Sequence, residues 1–121
     1  MTWANFNRDE FKCSHCGENQ ISDDLIDLLQ DLRNQCDFAF RISSGYRCFA
    51  HPIEARKAKP GTHSSGLAAD IAVSHGKAFQ LVKVAMADER TRGLGVNQKG
   101  DSRFIHIDIS EDGVRPSVWS Y

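Results

Sequence analysis

Two histidines and one aspartate, His63, Asp70 and His106, are the residues whose types and spacing best suit metal chemistry. His63 and Asp70 lie seven positions apart (63 to 70), which is too short a span for a free surface loop. Residues 104–109 alternate isoleucines with His106 and Asp108, a pattern that predicts a strand with one apolar and one polar face. Two imidazoles and a carboxylate suit zinc and leave a fourth position for water, so we predict a zinc centre. The alternative is that both histidines are ordinary surface or cleft residues.

Three further residues can contribute to catalysis or binding beside this centre. Arg47 ends a predicted strand, and its guanidinium can hold a substrate carboxylate or polarise a carbonyl oxygen; the alternative is a solvated arginine. Asp108 shares a strand face with His106 and is either a general base for the attacking water or a residue that orients an imidazole. His51 is predicted to line the same cleft in a supporting, substrate-binding role.

Four cysteines leave several alternatives open. Cys13 and Cys16 form a CxxC that can be half of a zinc knuckle completed by Cys36 and Cys48, although the usual second CxxC is missing. A disulfide, such as one to Cys48, is possible if the protein works outside the cell. Plain reduced thiols and a catalytic thiol are the remaining interpretations.

Apolar periodicity and turn residues indicate the elements that must position these side chains. Helices are predicted over residues 21–37, 50–57 and 78–88, and strands over 38–42, 68–73, 93–96 and 103–109. A turn is expected at Pro60-Gly61, the basic residues 56–59 are expected to be a solvated face, and residues 115–119 a lid or packing tail. This order predicts an α+β fold with a largely antiparallel sheet.

Composition narrows the class of protein. The 121 residues suit a single domain over 1–121, with 40% hydrophobic and 26% charged residues as in soluble globular proteins. A net charge of -1 argues against general attraction to nucleic acid, and no apolar run approaches the roughly 18 residues of a membrane helix. The N-terminus lacks the apolar segment of a secretory signal, so we expect synthesis in the cytoplasm.

Several of these motifs together resemble one known family. They are Ser44-Gly45-Tyr46-Arg47, His63 and Asp70 with Gly66, Ala68 and Ala69 between them, Gly93-Leu94-Gly95, and Phe104-Ile105-His106-Ile107-Asp108. The combination resembles the zinc D-alanyl-D-alanine carboxypeptidase family, most closely its small single-domain members from phages and bacteria, including endolysins. The resemblance covers most of the chain, since residues 11–17 look like the cysteine-bearing start of that group.

The resemblance implies a hedgehog/DD-peptidase fold, with helices packed against a mostly antiparallel sheet, and one zinc ion. By position, His63, Asp70 and His106 match the family's zinc ligands, and Arg47 matches its substrate-binding, carbonyl-polarising arginine. The chain departs from the family at Gly61, where many members carry serine. It also departs at positions 103 and 104, occupied by arginine and phenylalanine, where members carry a catalytic glutamate or histidine. Asp108 is therefore the remaining candidate for the base.

The resemblance further implies cleavage of D-amino-acid-containing stem peptides of peptidoglycan, as a carboxypeptidase or an endopeptidase. We expect a monomer that acts on the cell wall after release of the phage or prophage type. Two alternatives are a non-catalytic zinc-containing binding module on the same fold and a structural phage-particle protein.

Overall fold

A five-stranded sheet forms the centre of the molecule in the computed structural model, which describes residues 2–57 and 61–121. The strands are β1 (Ile42–Ser44), β2 (Ala68–Ile71), β3 (Gly93–Asn97), β4 (Phe104–Asp108) and β5 (Ser117–Ser120). The helices are α1 (Asp23–Cys36), α2 (Pro52–Ala55) and α3 (His75–Ala87), and a 3-10 turn spans Arg8–Phe11. The spatial order of the strands is β1-β2-β4-β3-β5.

Strand pairing confirms the predicted α+β class and the largely antiparallel sheet. Within the described residues β1–β2, β2–β4 and β3–β4 are antiparallel, and β3–β5 is parallel. The central strand β4 therefore lies between β2 and β3, so both of its edges are hydrogen-bonded. This pairing gives its side chains a rigid support.

The apolar face of the sheet packs against α1 and α3. Helix α1 begins where the Ser22 hydroxyl accepts a hydrogen bond from the Asp24 amide at 3.2 Å, and it ends at Asp37 in a left-handed conformation. Its buried leucines and Ile26 join Ile105 and Ile107 of β4 in one hydrophobic core. The alternation predicted for β4 is confirmed, since its isoleucines are fully buried on this side.

One sequence prediction about an element is wrong, and the structure decides between two alternatives for another. The strand expected over residues 38–42 begins only at Ile42, because Phe38 and Phe40 pack their rings together at 5.5 Å against the core and form no ladder. Of the two alternatives for residues 115–119, the structure has the packing tail and not the lid, because β5 pairs in parallel with β3.

The remaining predicted elements are present with shifted ends. Helix α3 starts three residues earlier than the predicted residue 78, and α2 covers only the middle of the predicted 50–57. Pro60 of the expected turn and the second half of the basic run lie outside the described residues. In the part of the chain that the structure describes, every helix is too short or too polar to cross a membrane.

Candidate metal centre and its surroundings

Adjacent strands place an aspartate and a histidine opposite each other on the polar face of the sheet. The register pairs Asp70 of β2 with His106 of β4. On the other side of β4, Gly95 of β3 pairs with His106, and a Cβ added at Gly95 would lie 2.6 Å from the Trp119 indole nitrogen. Glycine is therefore required at this position for the indole to approach the histidine strand closely.

His63 reaches the same place from the turn before β2. Its Nδ1 donates to the Gly45 carbonyl oxygen at 2.7 Å, and its Nε2 lies 3.3 Å from Asp70 Oδ1. The turn is closed by Gly66 with a φ of +76°, at a point where any side chain would collide with the Gln20 carbonyl. The backbone thus fixes His63 against the sheet.

The three side chains converge as a ligand group, named here the histidine–aspartate centre (His63, Asp70 and His106). One ligand atom from each lies within 4.8 Å of the other two, and all three residues are buried. His106 Nδ1 lies 3.0 Å from Asp70 Oδ1, while its Nε2 lies 2.8 Å from Asp108 Oδ2. Each imidazole therefore has one nitrogen facing Asp70 and the other held by an acceptor, the arrangement that orients histidine ligands of zinc. The donor set fits a zinc ion.

The electrostatics of the centre favour ionised carboxylates. Burial raises the pKa of Asp70, but hydrogen bonds with His106 and His63 outweigh it and hold that pKa well below its ordinary value. The pKa of Asp108 is likewise lowered, because hydrogen bonds from His106 and Arg115 outweigh its burial. Burial lowers the pKa of His106, but its two carboxylate partners reverse this and raise it. A group of negative oxygens around the imidazoles attracts a cation.

Asp108 is enclosed by the end of the chain. Its side chain is fully buried, and Arg115 donates from Nε to Oδ1 at 3.0 Å and from Nη2 to Oδ2 at 2.8 Å. The Ser110 amide also donates to Oδ1 at 3.3 Å. The Trp119 ring lies 5.1 Å from the Arg115 guanidinium and 5.1 Å from the His106 ring. Arg115, from the loop before β5, and Trp119 of β5 therefore pack a guanidinium against Asp108 and an indole against His106.

Arg47 lies on the other side of Asp70 and is held by a buried glutamate. Its Nη2 is 3.6 Å from Asp70 Oδ2, its Nη1 donates to Glu54 Oε2 at 3.2 Å, and its Nε donates to Ser44 Oγ at 3.0 Å. The Glu54 side chain is fully buried and also accepts from Lys57 Nζ. Burial raises the pKa of Glu54, but hydrogen bonds from the Gly61 amide, Lys57 and Arg47 lower it to about 2.

His51 is placed away from the ligands. It caps α2, where its Nδ1 accepts from the Ile53 amide at 3.1 Å, and its Nε2 lies 3.4 Å from Ser14 Oγ. Among the described residues no hydrogen bond or ion pair joins it to the histidine–aspartate centre. Its substrate-binding role stays a prediction. His15 and His75 are exposed.

Three contributing residues were missed by the sequence reasoning: Glu54, Arg115 and Trp119. Glu54 and Trp119 reach the site from short elements with no periodicity that points to it, and Arg115 reaches it from the loop before β5. Only the pairing of β5 with β3 brings Arg115 and Trp119 to the site.

Cys13, Cys16 and Cys48 form a second group, named here the thiol cluster, in which one sulfur from each lies within 4.8 Å of the others. All four cysteines are free. The prediction that Cys36 completes a knuckle is wrong, because Cys36 ends α1 and packs against the hydrophobic core.

A family model described as Peptidase M15 matches residues 4–108, which include the histidine–aspartate centre, Arg47 and the thiol cluster. The match ends at Asp108, so Arg115 and Trp119 lie beyond it. A comparison with curated proteins found no match.

Proposed function

The chain belongs to the peptidase M15 family, and on that premise we propose that it is a zinc peptidase that cleaves D-amino-acid-containing stem peptides of peptidoglycan. Membership confirms the family that the sequence motifs suggested, and a peptidase family implies a peptide substrate. The observation that carries the proposal is the convergence of two imidazoles and a carboxylate, buried and braced by further hydrogen bonds. We propose that His63, Asp70 and His106 hold the ion.

Zinc in that position supplies a Lewis acid, which activates a water near neutral pH and polarises the scissile carbonyl. The side chains of this protein supply positioning and charge. Arg47 is held by Glu54 and Ser44, so its guanidinium is fixed beside Asp70 before substrate arrives. A fixed donor aimed at the reacting carbonyl stabilises the oxygen on which negative charge develops, or anchors a substrate carboxylate.

Of the two roles left open for Asp108, we propose the orienting one. Both of its oxygens already accept hydrogen bonds, and its side chain is fully buried behind His106. A carboxylate in that position fixes the tautomer and the ring angle of the histidine. A general base must reach the water that it deprotonates, and Arg115 occupies the space around this carboxylate.

A groove beside His63 suits an extended peptide. It has a volume of about 390 Å³ and is lined by Phe49, Gly61, Thr62, Ser64, Ser65, Ser110, Asp112 and Gly113. We propose that the stem peptide lies along this groove, with its scissile bond at the histidine–aspartate centre. The substrate implies action at the cell wall, after release of the phage or prophage type.

The test is peptide cleavage by the purified full chain. Substrates are a stem pentapeptide ending in D-Ala-D-Ala and a cross-linked stem dimer, each with and without a chelator and then with zinc restored. Release of D-alanine identifies a carboxypeptidase, and loss of the cross-link identifies an endopeptidase. We expect His63→Ala to lower kcat/KM by at least about 10³-fold, because the Lewis acid is lost with its ligand.

His75→Asn is the matched control, since His75 is exposed and its positive φ of 54° suits asparagine. It should cleave like the wild type. Peptide binding with zinc present but no cleavage of either substrate would overturn the proposal in favour of a binding module on the same fold.

A further inference from the structure

The thiol cluster brings together sulfurs from two distant segments of the chain. Cys13 and Cys48 are separated by 35 positions, yet their sulfurs are 3.7 Å apart. A disulfide bond is about 2.05 Å long, whereas two thiolates on one tetrahedral zinc, each about 2.3 Å from the ion, lie about 3.8 Å apart. The observed separation matches a shared ion.

The backbone around the cluster is shaped as a tight turn. The Cys13 amide donates to the Glu18 carbonyl at 2.7 Å, and the Gly17 amide donates to the Cys13 carbonyl at 2.9 Å, with Gly17 at a φ of +76°. The Cys48 amide points at Cys13 Sγ at 3.4 Å. An amide directed at a sulfur stabilises the thiolate form, which is the form that binds metals.

Core packing does not account for this convergence. Cys13 and Cys48 are buried with Tyr46 in a small cluster separate from the main hydrophobic core. Cys16 is exposed, and yet its sulfur is directed at the other two. A thiol that merely filled apolar space would be buried as Cys36 partly is, on the core side of a helix.

We propose that Cys13, Cys16 and Cys48 bind a second, structural zinc ion as three thiolates, independently of the peptidase centre. Thiolate ligands select zinc over harder divalent ions such as magnesium and calcium. A structural zinc site has four ligands. The imidazole of His15, from the same turn, completes the fourth position. This ion is distinct from the one proposed at the histidine–aspartate centre, two of whose ligands lie on the sheet.

The proposed ion ties the N-terminal segment to the loop that carries the catalytic arginine. Cys48 directly follows Arg47, and the Tyr46 amide donates to the Phe11 carbonyl at 2.7 Å. The same loop supplies the Gly45 carbonyl that orients His63. Binding of an ion by the thiol cluster therefore restrains the loop that carries Arg47 and that orients His63.

The test is cobalt substitution of the reduced full chain, because cobalt bound to thiolates gives intense near-ultraviolet charge-transfer bands. Wild type and His63→Ala should both show these bands. Cys16→Ser should lose them together with one equivalent of bound metal per chain. Since Cys16 is exposed, its substitution leaves the core unchanged, and circular dichroism checks this directly.

Cys36→Ser is the matched control, because Cys36 lies outside the cluster, and it should keep the bands. Bands absent from reduced wild type, or equally strong in Cys16→Ser, would overturn the proposal. A Cys13–Cys48 disulfide in freshly purified protein that binds no metal after reduction would overturn it too. Metal content is read without any peptide, so failure here is separate from failure of the peptidase proposal.

Discussion

The histidine–aspartate centre and the thiol cluster are built on different kinds of backbone. The first takes two of its ligands from paired central strands, and each imidazole has its second nitrogen held by another group. The second takes its sulfurs from turns and depends on the backbone amides near them. Rigid strands with supporting residues suit a site that must present an ion to a substrate, whereas a closed loop site suits a structural ion.

This contrast has a consequence for mutations. The first centre should respond to changes in residues that do not touch the ion at all, since Glu54, Asp108 and Arg115 hold its components. The thiol cluster should respond only to its own cysteines. Substitution of these residues, or of the arginine that Glu54 holds, should therefore affect the histidine–aspartate centre and leave the thiol cluster unchanged.

Glu54→Gln is expected to have the largest effect. The change leaves Arg47 facing a neutral group at a fully buried position, so we expect a loss of about 3 kcal/mol in the free energy of unfolding. Urea unfolding measures it, with the exposed Glu89→Gln as control. A loss below about 0.5 kcal/mol, as at an ordinary surface site, would contradict the contribution assigned to Glu54.

The stability difference between wild type and Glu54→Gln should also depend on pH. The pKa of Glu54 lies at about 2 in the folded chain against an ordinary 4.5, so its stabilisation is fully present above about pH 4.5 and is lost as the pH falls towards 2. The stability difference between wild type and Glu54→Gln should be constant from about pH 7 to 5 and shrink below that. A difference that stays constant down to about pH 3 would show that ionisation of Glu54 is not its cause.

Arg47→Lys is expected to lower kcat/KM by about 10²-fold, because a lysine cannot reproduce the planar fork that Glu54 and Ser44 hold in place. Bound metal should be unchanged at both the histidine–aspartate centre and the thiol cluster. Arg41→Lys is the control, since Arg41 is exposed, and should stay within about twofold of wild type. Equal activity in both variants would remove Arg47 from the mechanism.

Asp108→Asn separates the two roles considered for this residue. As an orienting residue it should lower zinc affinity at the histidine–aspartate centre by about 10–100-fold, with kcat largely restored at saturating zinc. Competition with a chelator measures the affinity, and Asp101→Asn, an exposed site, is the control. A kcat that stays about 10³-fold low with zinc fully bound would identify Asp108 as the base instead.

The sequence predicted the parts of the site that follow from local regularity. Alternation in residues 104–109 placed His106 and Asp108 on one face of a strand, and β4 has that arrangement. The short span from His63 to Asp70 likewise implied that both reach one place, and they do. The apolar periodicity that predicted α1 was an equally local signal.

The parts that could not be predicted depend on long-range pairing. Arg115 and Trp119 matter only because β5 joins β3 in parallel, a contact that a four-residue strand with alternating exposure does not signal. Glu54 looks like an ordinary charged helix residue until the fold buries it against Arg47. Phe38 and Phe40 alternate as a strand would, yet their rings are accommodated by the core without any strand partner.

The packing of Trp119 against the centre also provides an optical reporter. Its ring lies 5.1 Å from the ring of His106, while the other tryptophan, Trp3, donates its indole N–H to Asp27 at 2.8 Å. Tryptophan fluorescence should therefore change when zinc binds at His106. In a Trp119→Phe variant the emission comes from Trp3 alone and should not change on addition of zinc. Binding of the proposed zinc ion can thus be followed in real time, without a substrate and without a dye.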